Sequence, residues 1–494
     1  MARSNRAVDV VDGPLLKPLL TLSLPIVLTN LMQVGYNLAD TFWVGRLGQA
    51  AVSALSFSWA IVFLVISMAA GFTVAGTVLV AQNKGAGKTD TVDHVAGQTI
   101  AFVVGLSVIF SALGYLFTPE LLGLIGAVEG TEEYLLSVEY TRTIFLGIPF
   151  VFSFYIFQGL LQGWGDTRTP MYLMAGGVAL NVLLDPILIL GFQDNVLFEA
   201  FGLSGLQDTL FGWTGFAGFG VQGAAIATIT ARGLGAVVAI GLLLVGWVGL
   251  APSPSDFLLE RATVAKIIRI GAPASIEQST RALGVTILTA LVALTSQEAV
   301  AAYGIGNRLT SLVFLPALGL ARGTETVVGQ NLGAGQTDRA RTAVTMALGV
   351  IAGLLSIVTL VSVWFAEPIT AVFISGSESA AVVTSGAAYL RIVGLTFVFL
   401  GGFRVIQGGF RGSGSTRTAM GLSILSLVGF RVPPAYLFVT QLDLGATGVW
   451  YAIALSNVLI LVVAGLWFRR GRWTDAVVTE SPEGEHIEEP TTDD

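Results

Sequence analysis

Apolar stretches of about 20 residues recur along this chain from end to end, and each is long enough to cross roughly 30 Å of hydrocarbon. No other feature limits the fold as strongly. Only 12% of the 494 residues are charged, and the mean hydropathy is +0.78. A soluble protein would carry about twice that charged fraction. The 60 glycines agree, because small residues let membrane helices approach closely. The expected fold is therefore an all-α integral membrane protein.

Twelve transmembrane helices are expected, at 17–44, 51–82, 95–117, 136–163, 170–192, 220–249, 262–294, 299–331, 341–365, 384–410, 418–440 and 446–469. The N-terminus is polar and no small-residue cleavage site follows the first run, so that run is expected to stay as a span. Alternate loops sort by charge. "QNKGAGKTD", "GDTRTP", "SDFLLERATVAKIIR", "GAGQTDRAR", "RGSGSTRT" and "RRGR" all carry Lys or Arg. The loops between them carry none, except the first, which holds Arg46. The positive-inside rule then puts both termini in the cytoplasm of a multi-pass cell-membrane protein. The acidic tail "TESPEGEHIEEPTTDD" is expected to be disordered.

The two halves repeat. "QNKGAGKTD" from Gln82 and "QNLGAGQTD" from Gln330 share Q-N-x-G-A-G-x-T-D at an offset of 248. "QGLLQGWGDTRTPM" from Gln158 matches "QGGFRGSGSTRTAM" from Gln407 at 249, and Leu24–Pro25 matches Ala272–Pro273. This is a tandem duplication of six spans. Six is even, so both copies enter from the same side, giving two parallel six-helix repeats. The expected division is a cytoplasmic segment 1–16, a first lobe 17–250, a linker 251–261, a second lobe 262–470 and a tail 471–494.

Two acids break the symmetry. Asp40 lies in the first span and Asp185 in the fifth, but their counterparts by offset are Leu288 and Pro434, and Asn181 maps to Phe430. The first half alone needs them. Gln33, Tyr36 and Asp40 share one helical face, as do Asn181 and Asp185. An ionised carboxylate at mid-membrane costs at least about 2.5–3.5 kcal/mol. It persists if it pairs, takes a proton or binds a cation. Two carboxylates with an amide, and a hydroxyl from Thr228 or Thr230, also make a hard oxygen set suited to Na⁺. The structural alternatives are that Asp185 caps a helix broken at Pro186 or pairs with Arg232, and that Asp40 is interfacial.

In the second half, Glu277–Arg281 and Arg322–Glu325 have the spacing of ion pairs on one helix. Glu277 stands four residues after Pro273 and could instead contact a cationic substrate. Tyr36, Tyr155, Phe154, Met174 and Met32 are candidates for lining an apolar cavity. Enzyme chemistry finds no support. There is no cysteine, His94 and His486 lie in a loop and the tail, and no G-x-x-x-x-G-K-[ST] is present. No cofactor beyond a coupling ion, and no nucleic-acid partner, is expected.

Together, "ADTFWVGRLG", the doubled "QNxGAG", "GDTRTP" and "LNVLLDP" resemble the MATE family of multidrug and toxic compound extrusion transporters over nearly the whole chain. The acids with Asn181 resemble its archaeal, DinF-type branch. The resemblance implies a V-shaped, two-lobe bundle, usually monomeric, that exchanges inward Na⁺ or H⁺ for outward organic compounds, often cationic and aromatic. It implies Asp40, Asn181, Asp185 and Thr228 as the cation site, the first three also ligating Na⁺. Gln33, Tyr36 and Met174 would lie near the drug cavity, with Gln158 and Glu277 as further contacts and Pro25 as the bend of the first helix. Gln158 departs from the Asn expected in that branch, and the loop between spans five and six is long. The alternative is a lipid-linked oligosaccharide flippase of the same superfamily, which would need a more cationic central cavity.

Overall fold

The computed structural model describes residues 7–193, 195–373, 379–475 and 477, and among them no strand occurs. The acidic tail from residue 478 lies outside the described residues. The first half contributes α1 (Leu16–Gly45), α2 (Gln49–Gly85), α3 (Thr89–Leu116), α4 (Glu132–Trp164), α5 (Arg168–Leu190) and α6 (Val221–Leu244). The second contributes α7 (Arg261–Ala293), α8 (Gln297–Gly333), α9 (Thr337–Trp364), α10 (Ser379–Gly394 and Phe397–Gly412), α11 (Thr416–Thr440) and α12 (Gly445–Arg469).

Among the described residues, ten of these helices are long and apolar enough to cross a membrane, and the two pieces of α10, bent by 52°, are so when taken together. The remaining one, α7, is long enough at 33 residues. It is more polar because it carries Arg261, Lys266, Arg269, Glu277 and Arg281. In α11 the helix opens into a π turn at Leu425–Gly429, just before Pro433 and Pro434, which have no N–H to continue the ladder. Large apolar side chains such as Leu38, Leu183, Val245 and Leu360 stand exposed on the outer surface, as a lipid-facing wall requires. The long loop folds into two short helices, Val196–Ala200 and Ser204–Thr214, with Trp213 exposed.

The first helix of each half packs across the molecule. Leu19 and Leu22 of α1, with Val10 and Leu15 just before it, join a core built otherwise from the second half. Ile267, Ile270 and Ala274 of α7 join the core of the first half. At their C-terminal ends α2 and α8 cross. A Cβ on Gly85 would collide with the backbone carbonyl of Gln330, and one on Gly333 with that of Gln82. The repeated Q-N-x-G thus places a glycine under the partner's glutamine, twice. Gln82 Nε2 then donates to the Gly412 carbonyl at 3.0 Å, and Gln330 Nε2 to that of Gly163 at 2.8 Å.

Both ends of the described chain lie at this crossing. Val8 N donates to the Gly165 carbonyl at 3.0 Å, and Asn331 Nδ2 to the Val10 carbonyl at 3.0 Å. Val477 N donates to Gln82 Oε1 at 2.9 Å. Two ends on one side are what an even number of spans demands.

Candidate functional site

Four helices of the first half converge on the two acids. On α1, Gln33, Tyr36 and Asp40 turn one face inward; on α5, Asn181 and Asp185 do the same one turn apart. Asn181 and Asp185 are fully buried, and Asp40 and Tyr36 nearly so. Asp40 faces Asp185, Asn181 and Tyr36. Asn181 Nδ2 donates to Asp185 Oδ1 at 3.0 Å. The Tyr36 hydroxyl shares a short hydrogen bond with Thr228 of α6. Three buried oxygens, Asp40 Oδ1, Asn181 Oδ1 and Asp185 Oδ2, have no hydrogen-bond partner. A buried polar atom left without a partner is costly, and groups that ligate something are the usual exception.

The two structural alternatives for Asp185 do not hold. α5 runs unbroken through Pro186 to Leu190, so Asp185 lies inside a helix rather than at its end. Arg232 is occupied elsewhere. It donates to Gln33 Oε1 and, at 3.0 Å, to the sulfur of Met174, and its guanidinium lies over the rings of Tyr36 and Phe154 at 5.4 and 5.2 Å. Asp40, 7% exposed, is packed inside the bundle rather than on its surface.

Asp40 opens into a cavity of about 950 Å³, lined also by Gln33, Tyr36, Thr228, Arg232 and aromatic residues including Trp59 and Tyr155. Asn181 and Asp185 lie one layer behind it. A ligand in the cavity can therefore meet Asp40, whereas Asn181 and Asp185 do not line it. Among the described residues no group of three or more His, Cys, Asp or Glu could hold a metal ion. The acidic site offers two carboxylates and neutral oxygens, a donor set for a proton or a monovalent hard cation rather than a transition metal.

The remaining expected site residues scatter. Met174 is 2% exposed and packs beneath Arg232, away from the cavity. Gln158 is half-buried and lines neither this cavity nor the one described next. Pro25 is buried within α1. Glu277 lies in the second half, on the wall of another cavity, and does not pair with Arg281. Its Oε1 accepts from Arg411 of α10 at 2.8 Å, and Arg411 also reaches Glu325 at 3.1 Å. The interhelical partner displaces the same-helix one because Arg411 is 3% exposed and brings two carboxylates together in one buried network. The Arg322–Glu325 pair does form, at 3.4 Å. The loop between α5 and α6 lines neither cavity. Tyr140 of α4 escaped sequence reasoning. It is buried and lines the first cavity together with Asp40. Its distance of 100 residues from Asp40 leaves no spacing signal.

The model of the MatE family matches the chain twice, over residues 25–187 and 273–437. The chain belongs to the MATE family. The starts of the two matches differ by the repeat offset found in the sequence, so the family unit is the half. Members are transporters rather than enzymes, and this MATE protein is a multi-span membrane transporter. Two Bacillus subtilis relatives are similar along nearly their whole length. "Probable multidrug resistance protein YpnP" is 29% identical over 473 residues, covering 95% of this chain and 98% of the relative. "Probable multidrug resistance protein YoeA" is 27% identical over 452 residues, covering 89% and 90%. A solved multidrug resistance MATE family transporter in an outward-facing conformation superposes with a TM-score of 0.83 at 26% identity, covering 94% of this chain and 98% of that one. These likenesses support multidrug efflux.

Proposed function

We propose that this MATE transporter exports small organic compounds, often cationic and aromatic, in exchange for H⁺ or Na⁺ taken inward at Asp40, Asn181, Asp185 and Thr228. One observation carries the proposal: three buried oxygens without a hydrogen-bond partner, on Asp40, Asn181 and Asp185, lie beside an aromatic-lined cavity that Asp40 and Thr228 both line. Cation and substrate then compete for the charge on Asp40. With the acids ionised, Asp40 attracts a cationic compound held by Trp59, Tyr155, Gln33 and Tyr36. A proton or Na⁺ entering at the acids removes that charge and the repulsion between the two carboxylates. Pro25 lacks the N–H that would tie its turn of α1 to the turn before it, so the helix bends there most readily. A bend carries Gln33, Tyr36 and Asp40 into the cavity and displaces the compound. The ion drives the cycle only by binding one conformation more tightly than the other. The proposal includes a monomer, with the Lys/Arg-rich end and both termini in the cytoplasm, and places the protein in the archaeal, DinF-type branch on the strength of Asp40, Asn181 and Asp185.

Ion release by the purified protein on addition of ethidium tests this. A pH-sensitive and a Na⁺-sensitive indicator should show stoichiometric release of one ion, lost in Asp40→Asn and Asp185→Asn. Equal release from both variants would sink the assignment.

A further inference from the structure

The duplication has produced a second cavity, of about 940 Å³, in the other half. The two share many equivalent lining positions. At the offset of 248, Leu55, Trp59, Val62, Phe63 and Ile66 of the first correspond to Tyr303, Asn307, Thr310, Ser311 and Phe314 of the second. At 249, Tyr140 corresponds to Tyr389 and Val151 to Leu400. Against that shared frame the charge is inverted. Asp40 is replaced by Leu288, Gln33 by Arg281 and Tyr155 by Arg404, all of them lining their cavities. Arg431 adds a third guanidinium.

Among the described residues no acid is bound to any of these three. The acid on the wall, Glu277, is bound to Arg411, and Glu325 is shared between Arg411 and Arg322. Those two acids and two arginines cancel. Among the described residues no carboxylate forms an ion pair with Arg281, Arg404 or Arg431. Instead the guanidiniums of Arg281 and Arg404 lie over the same Phe314 ring, at 4.1 and 4.9 Å from its centre. Two like charges on one ring, in a membrane interior, are unfavourable unless an anion meets them. Arg404 Nε is buried without a hydrogen-bond partner, and its Nη1 donates to Gln407 Oε1 at 2.8 Å. Arg431 is delivered by the break in α11. The π turn and the two prolines free its backbone from the regular ladder, and Ser456 and Asn457 of α12, each at 2.8 Å, orient its fork. Arg281 is exposed and has no hydrogen-bond acceptor among the described residues, so its donors remain available to a ligand.

We propose that this second cavity binds an organic anion, with a carboxylate, phosphate or sulfonate held between Arg281, Arg404 and Arg431 and an apolar body against Phe314. The planar guanidinium fork matches such groups in bidentate fashion. The anion comes either from a soluble compound or from a lipid headgroup, since the recognition chemistry is the same. The site does not depend on the exchange proposed for the acidic half, because binding is an equilibrium property that needs no ion gradient.

Fluorescence anisotropy of fluorescein with the purified full chain in a neutral maltoside detergent tests it. Saturable binding is expected, displaced by phenyl phosphate and not by benzyl alcohol at equal concentration. Arg281→Gln and Arg404→Gln should each weaken it about tenfold, the loss of one charge-assisted contact, while Arg281→Lys keeps most of it. Displacement by short-chain phosphatidylglycerol at lower concentration than by phenyl phosphate would name a lipid headgroup as the occupant of the same site. Absence of saturable binding, or binding unchanged in both glutamine variants, would overturn the proposal. So would equal displacement of fluorescein by phenyl phosphate and benzyl alcohol on the unmodified chain, a result that needs no variant to fold.

Discussion

Gly85→Ala should open the crossing of α2 and α8. The added methyl would overlap the carbonyl of Gln330, a backbone atom that cannot swing aside as a side-chain tip can. Relief requires α2 and α8 to part. Overpacking of this kind costs about 1–3 kcal/mol, and it falls only on the conformation in which the two helices touch. A coupling of that size shifts a two-state equilibrium by roughly 5- to 150-fold. The chain has no cysteine, so a single reporter can be introduced without background. Thr326 is fully buried beside this seam, with its hydroxyl 3.0 Å from the Gln162 carbonyl. In a Thr326→Cys background, an impermeant maleimide should label the Gly85→Ala protein several-fold to a hundredfold faster than its parent. Gly333→Ala should act alike, because its methyl would meet the Gln82 carbonyl. Gly105→Ala on α3, where a Cβ meets nothing within 4 Å, should leave the rate unchanged. Equal labelling of Gly85→Ala and parent would refute the idea that this contact holds the end closed.

Arg411→Leu should destabilise the fold by about 3–5 kcal/mol, since it strands the buried carboxylates of Glu277 and Glu325. Adding Glu277→Gln and Glu325→Gln should restore most of the loss in thermal unfolding followed by tryptophan fluorescence. Tyr140→Phe should leave that unfolding midpoint near wild type, yet shift the ion concentration for half-maximal efflux several-fold, because Tyr140 lines the same cavity as Asp40. The linker ahead of α7 should detach only in acid. Burial alone would push the Asp256 carboxyl up, but hydrogen bonds from the Ser253 hydroxyl and N–H, and from His94, outweigh it and hold the group below the ordinary carboxylate range. A lowered folded-state pKa gives stability that is complete above the unfolded value of about 3.9 and is lost as pH falls below it. Limited pepsin cleavage near Asp256 should therefore rise only below about pH 4, and at a higher pH in His94→Ala.

Much of this was legible in the sequence, and the reason is the duplication. Gln82-Asn83-x-Gly85 and Gln330-Asn331-x-Gly333 recur because each glycine must pass beneath the other's glutamine, so a close backbone approach left a mark in both copies. Asp40, Asn181 and Asp185 stood out because the second copy has Leu288, Phe430 and Pro434 in their places. What spacing could not reach was any partner on another helix. Glu277 and Arg281 are one turn apart, but the acid binds Arg411, 134 residues away. Tyr140 gave no signal because tyrosine is common in membrane helices and its meaning lies in what α4 turns it toward. Met174 looked like a cavity residue by type, and Arg232 draws it into the packing instead. The arginines of the second half read as a scatter until the fold placed two of them over one phenylalanine.

The central claim is that a cation binding at Asp40 and Asp185 drives export. Its most direct test is release of a fluorescent cationic dye from proteoliposomes under an imposed H⁺ or Na⁺ gradient, with Asp185→Asn as the comparison. The account predicts transport driven by one of the two gradients and abolished in the variant, with the variant still folded. Gradient-driven transport that survives in Asp185→Asn at the wild-type rate would contradict it.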